Sequence, residues 1–205
     1  MKSNFLYFGG SVVLFIILFF VFRGSGEIKN YPSNGTDIIA FGDSLVQGVG
    51  ATSEKANFVS ILSRRIGKPI INLGVSGNTT IDGLARLNEL DKYNPKVVIL
   101  LLGGNDYLKK VPIDETFSNL EKIIKNIQNR GAVVVLLGIR GGLISDKFDE
   151  KFEDLSSDTQ TAFVSNVLDG LLTKDEFMSD AIHPNDTGYA KIATRVYPVL
   201  QKLVK

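Results

Sequence analysis

"KVVILLLGGND", residues 96–106, runs six aliphatic residues together without a polar interruption and closes on two glycines. A strand with one wet face alternates apolar and polar side chains. A short continuous run bounded by glycine reads instead as a strand covered on both faces of a parallel sheet. Three other runs share the pattern: "DIIAFGD" (37–43), "PIINLG" (69–74) and "AVVVLLG" (132–138). Between them lie helical periods. Phe58, Ile61, Leu62, Arg65 and Ile66 hold one stripe, with Arg65 at its edge, and Ile81, Leu84, Ala85 and Leu87 hold a second. Phe117, Leu120, Ile123, Ile124 and Ile127 hold a third, ended by Gly131 as a C-terminal cap. A last helix is predicted from Asp186 as N-cap through Tyr189, Ile192, Ala193 and Val196, with Pro198 expected to kink or end it. This alternation implies an α/β fold, an open parallel sheet covered by helices through right-handed crossovers. In such sheets ligands bind beyond the carboxyl ends of the strands.

Composition narrows the function classes. The chain of 205 residues is 44% hydrophobic and 22% charged with a net charge of +1, which describes a folded protein without a nucleic-acid-binding surface. No cysteine is present, so disulfides, thiolate zinc sites and cysteine nucleophiles are excluded. One histidine makes a zinc site uncommon and leaves a carboxylate-bound magnesium or calcium ion open on composition, though no metal or cofactor is expected for the chemistry read below.

Residues 1–22 stand apart. Phe5 to Phe22 is 18 residues without a charge, preceded by Lys2 and stopped by Arg23. As a helix this run spans about 27 Å, near the thickness of a bilayer's hydrocarbon core. It is expected to be an uncleaved transmembrane anchor placing the domain that follows outside the cytoplasm. The alternative is a cleaved signal and a secreted protein, but signal apolar regions are shorter and the small residues Gly24-Ser25-Gly26 make a poor cleavage site. Residues 23–36, "RGSGEIKNYPSNGT", lack apolar period and read as a linker, leaving 37–205 as one domain.

Chemistry concentrates at the predicted strand ends. Ser44 follows the first run, "GVSGNTT" (74–80) the second, Asn105 the third, and "DAIH" (180–183) precedes the last helix. "GVSGNTT" lacks the lysine of a phosphate loop, and "GDSLVQGVG" does not fit the dinucleotide fingerprint. A serine hydroxyl becomes nucleophilic when an imidazole within reach takes its proton, and a carboxylate on the other ring nitrogen fixes the tautomer. Ser44, His183 and Asp180 fill those three roles. The backbone N–H groups of Ser44 and Gly77 and the side-chain amide of Asn105 are candidates for an oxyanion hole.

"GDSL" (42–45), "NLGVSGNT" (72–79), "GGND" (103–106) and "DAIHPN" (180–185) resemble, in order, the four blocks of the SGNH, or GDSL, hydrolase family. The resemblance covers nearly all of residues 37–204. "GLARL" (83–87) and "MSDAIHPN" (178–185) are most similar to bacterial thioesterase I-type enzymes, also described as arylesterases or lysophospholipases. It implies a three-layer flavodoxin-like fold with strand order 2-1-3-4-5. It also implies a Ser44, His183 and Asp180 triad, an oxyanion hole of Ser44, Gly77 and Asn105, and an acyl ester or thioester substrate. Gly77 rather than Gly74 takes the family's donor position. Val46 stands where an α/β-hydrolase elbow needs glycine. The charged stretch 139–160, where family members build part of the acyl site, leaves chain length open. Tyr107, Leu108, Val111 and Ile113 are offered as walls of an acyl groove.

Three other functions compete. The same machinery can remove O-acetyl groups from envelope carbohydrate. A membrane-tethered binding module would keep the fold without turnover. A metal-dependent phosphoesterase built on Asp43, Asp106 and Asp180 would leave Ser44 and His183 without a role.

Overall fold

Residues 27–140 and 147–205 are described by a computed structural model. Strands β1 (Asp37–Gly42), β2 (Ile70–Gly74), β3 (Pro95–Leu101), β4 (Val133–Leu137) and β5 (Ala162–Val164) form one parallel sheet in the order β2-β1-β3-β4-β5. Helices α2 (Phe58–Ile66) and α7 (Asp186–Leu203) pack together on one face; α3 (Thr80–Ala85), α5 (Ile113–Asn129) and α6 (Lys147–Thr159) cover the other. Short α1 (Ser44–Gln47) and α4 (Gly104–Leu108) follow β1 and β3 directly. The switch in strand order therefore falls between β1 and β3, where a doubly wound sheet opens its ligand crevice.

The aliphatic runs become the sheet for the reason their pattern gives. Val97 to Leu101 of β3 and Val133 to Leu137 of β4 are buried from end to end between the helical layers. β2 departs from that expectation: Ile70, Ile71 and Leu73 are only half-buried and Asn72 is exposed, because β2 is an outer strand with one paired edge. β5 has no signature of its own, since three residues are too short to show a period.

Two helices differ from their predicted faces and caps. Ile81 is 53% exposed, while Thr80, Gly83 and Leu87 point inward. The buried Asp106 carboxylate accepts from both the backbone N–H and the hydroxyl of Thr80 and so turns that residue into the core. Gly83 lies so close to Leu102 that a β-carbon would stand 2.4 Å from its Cδ1. In α7 the N-cap is Asn185, whose side chain accepts from the N–H groups of Thr187 and Gly188. Asp186 instead accepts from the backbone and hydroxyl of Thr52. Pro198 does not end α7, which runs on to Leu203 with Leu200 and Leu203 held in the core.

The expected linker also needs correction where it is described. Lys29 N–H donates to Gln160, Asn30 donates through its amide to the carbonyls of Gln128 and Ala132, and Ser33 donates to Gly131. Thr36 N–H donates to Asn94. These partners lie just before β3, β4 and β5, so residues 29–36 are docked along the amino end of the sheet. The polar side chains that suggested a linker satisfy helix-end and turn carbonyls there. The apolar run 5–22, expected as an anchor, lies outside the described residues; among those described, no helix is long and apolar enough to cross a membrane.

Candidate active site

Ser44 is the first residue of α1, immediately beyond β1, and is buried. The first N–H groups of a helix have no carbonyl one turn behind them, so this amide points out of the helix end. Asp43, the N-cap, takes the Leu45 N–H on its carboxylate. His183 reaches Ser44 from the loop before α7: its Nε2 lies 3.1 Å from the Ser44 Oγ. Its Nδ1 lies 2.8 Å from Asp180 Oδ2, while Asp180 Oδ1 accepts from the backbone N–H groups of Ile182 and His183. All three triad residues predicted from sequence thus form one hydrogen-bonded chain.

The histidine loop is held at its base. Met178 and Pro184 form an isolated antiparallel bridge, and the Ser179 N–H donates to the His183 carbonyl. Asn185, besides capping α7, donates its amide to the carbonyls of Glu176 and Met178. Tyr189 in α7 donates its hydroxyl to the Val49 carbonyl, which ties the segment after Ser44 to the helix that follows His183.

Charges at the site are sorted by environment. The hydrogen bond with His183, helped by the Ile182 N–H, holds Asp180 down at about 2. Asp43 goes the other way. Burial pushes its carboxyl up to about 6, against the Leu45 N–H and the nearby His183, which both lower it.

The oxyanion candidates come from three neighbouring strand ends. After β2, residues 75–78 make a turn closed by the Asn78 N–H on the Val75 carbonyl, with Gly77 at φ +79, a left-handed conformation that disfavours any side chain. Asn105 in α4 donates one amide hydrogen to the Asn78 carbonyl at 2.9 Å, which leaves the other for a ligand. Asp106, beside it, is fully engaged with Thr80 and Thr116. Asp43, Asp106 and Asp180 do not gather: among the described residues no three metal-ligating side chains form a cluster.

A cavity of about 120 Å³ opens beside Ser44 and His183. Tyr107 and Leu108 line it, together with Leu45, Ile139, Leu168, Leu172 and Ile182. Val111 and Ile113 do not. Val111 is turned back by its N–H on the Asp106 carbonyl, and Ile113 packs against the core at the start of α5. The sequence reading missed the apolar residues beyond β4 and β5 because they sit in irregular segments without period; Ile182, adjacent to His183, was within reach of it. A larger polar cavity of about 520 Å³ lies beyond Arg140, against Asn166 and Arg195, and contains no triad residue in its lining.

The chain is similar in sequence and fold to known proteins. Residues 40–191 match the GDSL-like Lipase/Acylhydrolase family. The chain is 33% identical to an arylesterase of Vibrio mimicus, over 94% of this chain and 98% of the relative. It is 28% identical to thioesterase 1/protease 1/lysophospholipase L1 of Escherichia coli, over 82% of this chain and 84% of the relative. The crystal structure of TesA superposes with a TM-score of 0.75 at 27% identity, covering 82% of this chain and 99% of that one.

Proposed function

The chain belongs to the GDSL-like lipase/acylhydrolase family and is a serine esterase or thioesterase; on that premise we propose that Ser44, His183 and Asp180 carry the hydrolysis through an acyl-enzyme. The Ser44 Oγ attacks the acyl carbonyl carbon as its proton passes to His183 Nε2. Asp180, held down at about 2 and therefore ionised, stabilises the imidazolium that forms. The carbonyl oxygen becomes an oxyanion facing the N–H groups of Ser44 and Gly77 and the free amide hydrogen of Asn105. Collapse of this intermediate expels the alcohol or thiol, which takes the proton from His183. Water, deprotonated by the same imidazole, then attacks the acyl carbonyl carbon, and His183 returns that proton to the Ser44 Oγ as the carboxylic acid leaves. The observation that carries this reading is the unbroken chain of 2.8 and 3.1 Å contacts from Asp180 to Ser44.

The acyl chain is proposed to enter the apolar cavity walled by Leu45, Leu108, Ile139 and Ile182. Each methylene buried there contributes up to about 0.8 kcal/mol, so chains of intermediate length should be hydrolysed faster than acetate. Rates over p-nitrophenyl esters from acetate to palmitate test this. Turnover confined to acetyl esters, acetylated sugars above all, would favour an O-acetylesterase of envelope carbohydrate instead.

An extracytoplasmic, membrane-anchored domain is proposed from the uncharged run 5–22. Docking from Lys29 onward leaves at most residues 23–28 between that run and the first docked backbone group. The attachment lies at the amino end of the sheet and the site at its carboxyl end, about 20 Å away for six residues of strand. An anchored enzyme would thus meet esters arriving from the aqueous side more readily than lipids of its own bilayer. Retention in carbonate-washed membranes is the expected result, and a soluble species beginning near Glu27 would show a cleaved signal.

A further inference from the structure

We propose that Arg86 is a positioning residue for the oxyanion donors, locking the turn that carries Gly77 and the amide of Asn105 to the strand end that carries Ser44. This rests on the acyl-enzyme reading above and assigns a role outside the triad and the oxyanion donors themselves.

Arg86 caps the end of α3, yet its guanidinium does not face water. The side chain is 13% exposed and lies over the buried Phe41 ring, with Cζ 4.0 Å from the centroid. Four of its N–H groups are donated to four different elements. Nη2 serves the carbonyls of Gly42, at the end of β1, and Leu73, in β2, at 2.7 and 3.0 Å. Nε donates to the Asn78 side-chain oxygen at 2.7 Å, and Nη1 to Glu89 at 3.1 Å.

Two of these partners stand one step from the chemistry. The Gly42 carbonyl, two residues before Ser44, also accepts the Val75 N–H that opens the Gly77 turn. Asn78 closes that turn, and its own carbonyl receives the Asn105 amide. A single planar cation therefore adds side-chain braces between the strand end before Ser44 and the turn holding the second donor, beyond the backbone bond that joins them. Through Asn78 it also fixes the carbonyl that orients the third. A lysine cannot reproduce this, because its ammonium is a point donor without the rigid fork. Oxyanion stabilisation depends on donors held close to where charge develops, and small misplacements are costly.

The test uses the full chain in detergent, with concentrations of active enzyme set by titration and a p-nitrophenyl ester as substrate. Arg86→Lys should lower kcat by about 10- to 100-fold while KM stays within about two-fold. The acid limb of its pH profile should match wild type, since His183 and Asp180 do not touch Arg86. Asn78→Ala removes only the Nε acceptor and should give a smaller loss of kcat of the same kind, which keeps the idea testable if Arg86→Lys fails to fold. The double variant should be no slower than Arg86→Lys alone. A lowered melting temperature with unchanged kcat per active molecule would overturn the proposal, as would an unchanged kcat in Asn78→Ala or multiplicative losses in the double variant. Absence of serine labelling in wild type would instead sink the acyl-enzyme reading, whatever the variants do.

Discussion

The two ends of the parallel sheet spend their polar groups differently. At the amino end, Asn30, Ser33 and the backbone of Lys29 and Thr36 give their hydrogens to the carbonyls of Gln128, Gly131, Gln160 and Asn94. Donors and acceptors there pair with one another rather than with a ligand. At the carboxyl end, buried Asp43 and Ser44 and half-buried Asn105 face a cavity, and donors remain for a ligand. Leu108 and Ile182 are exposed at its mouth. The same strands feed both ends. One end is closed for stability, and the other keeps buried polarity that folding alone would not favour.

If that division holds, the largest response to substitution belongs to the carboxyl end. Asn105→Ala should cost about 10²- to 10³-fold in kcat with a smaller change in KM, because its spare hydrogen acts on charge present only in the transition state. A change confined to KM would make it a substrate-binding group instead.

Asp43 sharpens the contrast through pH. Its carboxyl is raised from 3.8 to about 6 by burial, so the folded state holds a proton the unfolded chain has lost. That contribution is complete below pH 3.8 and disappears as pH rises through 6. At about 1.4 kcal/mol per pKa unit, Asp43→Asn should gain about 1–3 kcal/mol on wild type between pH 4 and pH 7 in denaturant unfolding. Asp180, lowered to about 2, acts oppositely: its contribution is present above 3.8 and lost as pH falls through 2. Half of that side chain is exposed, so its share is small. A pH-independent difference between Asp43→Asn and wild type would contradict the burial argument.

Leu108→Asp should narrow the preference for intermediate acyl chains over acetate by several-fold without unfolding the protein, since this cavity wall is 53% exposed. Unchanged chain-length preference would remove Leu108 from the acyl path. The smallest effect on activity should come from the amino end. Asn30→Ala removes two hydrogen bonds and should cost about 1–3 kcal/mol of stability while leaving kcat/KM unaltered. A matching fall in kcat/KM would show that the two ends are coupled.

How far these ends could be read from sequence differs in the same way. The unbroken aliphatic runs made β1, β3 and β4 legible, and four spaced blocks singled out Ser44, Asp180 and His183, which the fold brings into contact. Sequence alone did not reveal that Thr80 rather than Ile81 faces inward, since the cause, Asp106, lies across the fold. Nor did it reveal the docking of residues 29–36, whose glycine, serine and asparagine look the same in a tether as in a bound turn. Leu168 and Leu172 joined the cavity only through an irregular segment after β5. "GLARL" carried a family likeness, but nothing local shows that its arginine bridges Gly42, Leu73 and Asn78.

The proposed chemistry turns on the activation of Ser44 as a nucleophile by His183 and Asp180. Titration of the full chain with a fluorophosphonate, followed by mass spectrometry of the labelled peptide, tests it most directly. One phosphonyl group per chain on Ser44 is expected, with loss of esterase activity in step with labelling, no protection by chelator, and no labelling of Ser44→Ala. An enzyme that hydrolyses esters at full rate while Ser44 stays unmodified, or a Ser44→Ala variant that keeps wild-type activity, would contradict it.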